Sequence, residues 1–238
     1  VKKYFQNEWV TLYHGDCLEV LPRLPASSIG CVITDPPYGV NYESTWRKES
    51  FGVIAGDKSQ DVAVLALREC QRVLQNKAHV YTFGQYDLTG LNYTAPVELI
   101  WDKGTQSVGN LNCPWGPAHE YIQFRVFNNS KQNIANGEGN LTAKMRKGSV
   151  LHVPAIRGGS ATRHPTEKPV QLLRELIESS SRFGDTILDF FGGVGSTAVA
   201  AMLEGRKCIL IELEERYLEI AARRLSQSVL PLEFEVAA

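Results

Sequence analysis

Asp35-Pro36-Pro37-Tyr38 puts a carboxylate, fixed backbone carbonyls and a phenol ring in four consecutive positions. The two prolines hold φ and offer no N–H, so the turn is rigid and neighbouring carbonyls lack intrastrand partners. Such a set can accept hydrogen bonds from an amino group and stack on a planar base. It also reads more plainly as a polar turn that ends a strand. A second cluster, Gly192-Gly193-Val194-Gly195-Ser196-Thr197, lies far along the chain. Glycines at 193 and 195 allow a tight turn and close approach of backbone to ligand. The helix this turn opens would face a ligand's negative group with its N-terminus. Glu212 follows Gly193 by 19 residues, a spacing that suits a carboxylate receiving ribose hydroxyls. A nucleoside cofactor is the reading; tight packing at a strand–helix corner is the alternative.

Both clusters need a sheet edge to present them. An apolar run, Ile29–Thr34, leads into the first, and Thr186–Phe191 leads into the second. Other strands are predicted at 11–14, 79–83, 97–101, 121–127 and 208–211. Helices are predicted over about 61–74, 168–179, 198–204 and 215–225, with Thr166 capping the second. Near-continuous apolar strands separated by helices imply an α/β fold with a largely parallel sheet covered on both faces. Residues 128–163 lose both periods and read as a long loop or small excursion. Residues 128–168 hold seven Lys/Arg against two Glu.

The 238 residues carry a net charge of −1 and are 43% hydrophobic. That composition excludes global disorder and a uniformly basic nucleic-acid binder, but not a local basic face. No apolar run approaches the roughly 18–20 residues of a membrane span. The N-terminal charges are not followed by the apolar stretch of a signal peptide. Five cysteines at 17, 31, 70, 113 and 208 form no C-x-x-C pair, which points to a reducing cytosol rather than a disulfide framework. His119-Glu120 lacks the second histidine of a zinc helix, position 123 being Gln. No metal site is expected.

The motifs together resemble the amino-group DNA methyltransferases that use S-adenosylmethionine. Asp35-Pro36-Pro37-Tyr38 matches the catalytic tetrad of that family. Asp189-Phe190-Phe191-Gly192-Gly193-Val194-Gly195-Ser196-Thr197 is similar to its cofactor loop, with Phe190 for the usual proline and Val194 for the usual serine. His164-Pro165-Thr166-Glu167-Lys168-Pro169 resembles the segment preceding that loop, and Gly15-Asp16 the acid that meets the cofactor adenine. The likeness spans about 1–127 and 164–226. Tetrad first, basic excursion second and cofactor loop last is the permuted order of the β class. Cytosine-carbon enzymes need a proline before a cysteine nucleophile; Cys113-Pro114 has the reverse order.

The resemblance implies one Rossmann-like domain over 1–238, with a mixed, mostly parallel seven-stranded sheet and a target-recognition insertion at about 128–163. It assigns catalysis to Asp35, Pro36, Pro37 and Tyr38. Cofactor contacts fall to Asp16, Cys17, Thr166, Lys168, Pro169, Asp189, Phe191, Gly193, Gly195, Ser196, Thr197 and Glu212. DNA contacts are expected from Trp46, Arg47 and Lys48 and from Lys144, Arg146, Lys147, Arg157 and Arg163, although a solvated loop is the other reading of such a charge cluster. The expected reaction is N6 methylation of a flipped-out adenine, because Asp35 stands where cytosine-N4 enzymes more often carry serine. Cytosine N4 methylation, or a silent DNA- or nucleoside-binding module, are the alternatives. A homodimer, a partner restriction endonuclease, and a cytoplasmic setting of bacterial, phage or plasmid origin are further expectations.

Overall fold

Ile29–Thr34 (β3) is buried at all six positions, the mark of a central strand covered on both faces. The computed structural model describes residues 2–36, 61–105, 112, 114–128, 147–156 and 167–227. In it, β3 lies between parallel neighbours Leu74–Phe83 (β4) and Thr186–Asp189 (β8). The other strands are Lys3–Gln6 (β1), Val10–His14 (β2), Val97–Asp102 (β5), His119–Val126 (β6), Val150–His152 (β7) and Lys207–Glu212 (β9). They join in the order β1-β2-β9-β8-β3-β4-β6-β5-β7. Pairs β1–β2, β4–β6 and β5–β6 are antiparallel and the rest are parallel.

Successive residues of β3 serve opposite cores. Cys31 and Ile33 pack with Leu172, Leu173 and Ile177 of Val170–Ser180 (α3), with Ala198 and Ala201 of Ser196–Leu203 (α4), and with Leu218 and Leu225 of Glu215–Gln227 (α5). Val32 packs on the other face with Val20 of Cys17–Val20 (α1) and with Ala63, Ala66 and Leu67 of Asp61–Cys70 (α2). The α/β expectation with helices on both faces holds. All parallel strands point their C-terminal ends at one edge of the sheet, and the N-terminal end of β6 joins them there.

Four expectations need correction. The sheet has nine strands rather than seven. The outermost strands, β1 and β7, are only partly buried, so neither shows an apolar run. Residues 128–163 are not wholly an excursion, because Val150–His152 pairs in parallel with Ile100–Asp102 and Trp101 Nε1 donates to the Val153 carbonyl at 2.7 Å. Helix α2 stops at Cys70, since Leu74 already pairs with Ile29. Helix α3 is capped by Pro169 rather than Thr166. Among the described residues no helix is long and apolar enough to cross a membrane.

Candidate active site

The chain leaves β3 through Thr34 and Asp35 at the C-terminal edge, where open α/β sheets bind ligands. The Asp35 Oδ2 atom accepts a hydrogen bond from Lys168 Nζ at 2.5 Å. Lys168, 133 residues away, is buried against the Phe83 ring, 4.9 Å from its centroid. Its ammonium also faces Glu120 Oε2 at 3.4 Å. Burial alone would lower the Lys168 pKa, but the Asp35 and Glu120 carboxylates outweigh it and hold it above the ordinary lysine value. Glu120 is bound in turn by Lys103, 2.6 Å from Oε1. The Pro36 carbonyl accepts from Tyr86 Oη at 3.1 Å. Tyr86 is itself held by its backbone, its N–H donating to Gln123 and its carbonyl accepting from Arg125.

The glycine turn is built around Asp189. One carboxylate oxygen accepts from Thr34 Oγ1 at 3.0 Å and from the Phe191 N–H at 3.1 Å; the other accepts from Thr197 Oγ1 at 2.6 Å. Burial raises its pKa to about 6, despite those donors. Asp189 therefore fastens β3, the turn and α4 to one another. Glu212 closes the turn from β9: one oxygen accepts from the Gly193 N–H at 2.7 Å and the other from the Glu214 N–H at 2.8 Å. Burial raises the Glu212 carboxyl too. Gly195 caps α4 with φ +82°, a left-handed conformation that favours glycine. A Cβ there would lie 2.8 Å from that of Ala221.

An open cleft joins the two clusters. Its walls include Thr34, Asp35, Phe83, Lys168, Phe191 and Gly193. Asp189, Ser196 and Thr197 also reach it. At its β9 side, Glu212 stands beside the end of β2, the Gly15 N–H donating to the Glu212 carbonyl at 3.0 Å. A carboxylate at a nucleoside's expected ribose end, a backbone turn and a cleft running to Asp35 fit a sulfonium nucleoside.

Other predicted site residues sit differently. Asp16 caps α1 by accepting from the Leu18 N–H at 2.8 Å. The Cys17 side chain is core, its thiol pushed up to about 12 by burial. Gly195 and Pro169 act as helix caps. Lys147 lies before β7, at the end of the sheet opposite Asp35, and pairs with Glu178 of α3 at 3.0 Å; it is not brought to the cleft. Pro37, Tyr38, Trp46, Arg47, Lys48, Lys144, Arg146, Arg157, Arg163 and Thr166 lie outside the described residues. Sequence reasoning missed Tyr86 and Arg224, and gave Glu167, quoted only within the 164–169 segment, no role of its own. Arg224 lies 3.0 Å from Glu167 and donates to the Val194 carbonyl at 2.8 Å. No spacing signal marks Tyr86 or Arg224, because each acts through a partner remote in the chain.

Comparison with known proteins accords with this geometry. A family profile described as DNA methylase matches residues 29–223. DNA adenine methyltransferase YhdJ of Escherichia coli (strain K12) is 29% identical over 257 residues, covering 93% of this chain and 84% of that protein. The crystal structure of the M1.HpyAVI–SAM complex superposes with a TM-score of 0.69 at 21% identity, covering 91% of this chain and 98% of that one. The PvuII DNA methyltransferase (cytosine-N4-specific) superposes with a TM-score of 0.71 at 18% identity, covering 96% and 90%. These two likenesses show the fold. With its tetrad ahead of its glycine turn, and its profile match extending over most of its length, the chain belongs to the DNA methylase family, as an S-adenosylmethionine-dependent amino-methyltransferase of the β class.

Proposed function

We propose that this chain methylates the exocyclic N6 of adenine in DNA. The observation that carries the reading is that Asp35 and the glycine turn open onto one cleft. Bound S-adenosylmethionine supplies a methyl group on a positively charged sulfur. The chain's own residues prepare the amine. An aromatic amine is a weak nucleophile because its lone pair is delocalised into the ring. Asp35 accepts one amine N–H and the Pro36 carbonyl accepts the other, localising the lone pair as the N–C bond forms. Tyr86 holds that carbonyl in place, an orientation effect. Asp35 takes the proton the amine sheds, and Tyr38 stacks on the base. A base within a duplex cannot enter such a cleft, so the target is flipped out.

Cytosine N4 methylation uses the same acceptors and is the second reading. DNA contact is assigned to Trp46, Arg47, Lys48, Lys144, Arg146, Arg157 and Arg163, with Trp115, which stands 83% exposed in the β5–β6 connection. Homodimerisation, a partner endonuclease and a cytoplasmic setting belong to this proposal as well.

The test is incubation with labelled S-adenosylmethionine and unmethylated DNA, then nucleoside digestion and mass spectrometry. N6-methyladenine is expected and N4-methylcytosine would overturn the base assignment. Retained activity in Asp35→Ala would overturn the mechanism.

A further inference from the structure

Three charges meet at the floor of the cleft in a pattern the methyl-transfer reading leaves unexplained. Lys168 Nζ is 2.5 Å from Asp35 Oδ2, so the acceptor that the target amine needs is already engaged by a cation. A carboxylate oxygen so bound is a poorer acceptor. An ammonium there also opposes the positive charge that the attacking nitrogen acquires. On the other side of the same ammonium, 3.4 Å away, stands Glu120 Oε2. That oxygen is buried and, apart from this 3.4 Å ion pair, has no hydrogen-bond partner. The partner oxygen, Oε1, is anchored by Lys103 at 2.6 Å, so Glu120 is held in place while Oε2 stays available. Phe83 lies under the ammonium, 4.9 Å from its ring centroid. An aromatic face attracts a cation without fixing which carboxylate it favours. Buried ion pairs add little net stability over apolar packing, so stability alone does not account for two lysines and two carboxylates here.

We propose that Glu120 is a positioning residue that takes Lys168 from Asp35 when the target amine enters. The ammonium moves from Asp35 Oδ2 onto Glu120 Oε2. The Asp35 Oδ2 atom is released toward the amine, and the cation is drawn off the reacting nitrogen. Before substrate arrives, the Lys168 contact neutralises Asp35 and holds it at the cleft edge. The inference rests on Asp35 being the amine's acceptor.

The experiment measures kcat on DNA at saturating cofactor, together with cofactor Kd, for Glu120→Gln, Lys168→Gln, the double variant and Asp35→Ala. Glu120→Gln should lose roughly tenfold or more in kcat, as expected for a lost charged hydrogen bond, with cofactor Kd within about twofold of wild type. In the Lys168→Gln background the Glu120 substitution should have no further effect. A wild-type kcat for Glu120→Gln beside an inactive Asp35→Ala overturns the inference and leaves the function standing. An active Asp35→Ala overturns the proposed mechanism instead, and a wild type that methylates no DNA overturns the function. If Glu120→Gln alone no longer binds cofactor, the double variant, which removes both buried charges, is compared with Lys168→Gln. Equal rates support the handover, and a slower double variant overturns it, because Glu120 would then act independently of Lys168.

Discussion

Arg224 on α5 donates through Nη1 to the carbonyl of Val194, 2.8 Å away and 30 residues back in the glycine turn. The same nitrogen lies 3.3 Å from Ser196 Oγ and 3.0 Å from Glu167 Oε1, and Ser196 Oγ itself donates to that Glu167 oxygen at 3.1 Å. The Val194 side chain is buried, so its place in the turn brings packing where a serine would bring a hydroxyl. The turn is tied down through its backbone and its flanking side chains.

Arg224→Ala should therefore weaken cofactor binding more than turnover. Charge-assisted hydrogen bonds are worth about 1.5–3 kcal/mol, which corresponds to a rise in Kd of roughly tenfold or more. Titration calorimetry with S-adenosylmethionine checks this, and kcat at saturating cofactor should change less. Arg224→Lys, which keeps the charge but not the fork, should fall between the two.

Two buried groups should give the stability opposite pH dependences. The Asp189 carboxyl is raised from 3.8 to about 6 by burial. Between those values the folded state binds more protons than the unfolded chain, so this group's contribution to stability grows as pH falls. The His79 imidazole is lowered from 6.5 to about 4 by burial, where its Nδ1 meets Ser180 Oγ at 2.6 Å and its Nε2 has no partner. Between those values the unfolded chain binds more protons, so this contribution is lost as pH falls. In thermal melts from pH 7 to 4, wild type should gain on Asp189→Asn below about pH 6 and lose ground to His79→Asn below about 6.5.

Gly195→Ala should destabilise the fold by about 1–3 kcal/mol, read from urea unfolding. Two costs combine, the left-handed φ of +82° and a Cβ placed 2.8 Å from that of Ala221. A double-mutant cycle with Ala221→Gly separates them. The two substitutions should couple favourably, and the residual cost, roughly 1–2 kcal/mol, is that of the left-handed backbone.

The central strands were legible because burial on both faces leaves unbroken apolar runs, as in Ile29–Thr34. The amphipathic helices were legible through faces such as Leu172, Leu173, Leu176 and Ile177. The edge strands β1 and β7 were not. Each is stabilised by pairing to one neighbour, and backbone pairing demands no particular side-chain pattern. Lys168 shows the same limit within the site. Its place in the 164–169 segment put it among the expected cofactor contacts, while nothing in the sequence marks its 2.5 Å contact with Asp35.

The sequence by itself determined the element types, the strand-end placement of Asp35, the glycine turn with Glu212 beyond it, and the permuted order that marks the family. These depend on local periodicity and short spacings, which a chain carries wherever it folds. Only the tertiary structure decided which charges meet. Lys168 with Asp35 and Glu120, Tyr86 with the Pro36 carbonyl, and Arg224 with Val194 join positions 133, 48, 50 and 30 residues apart. Such contacts follow from the order and direction of strands in the sheet, set by the burial of two whole cores rather than by any motif.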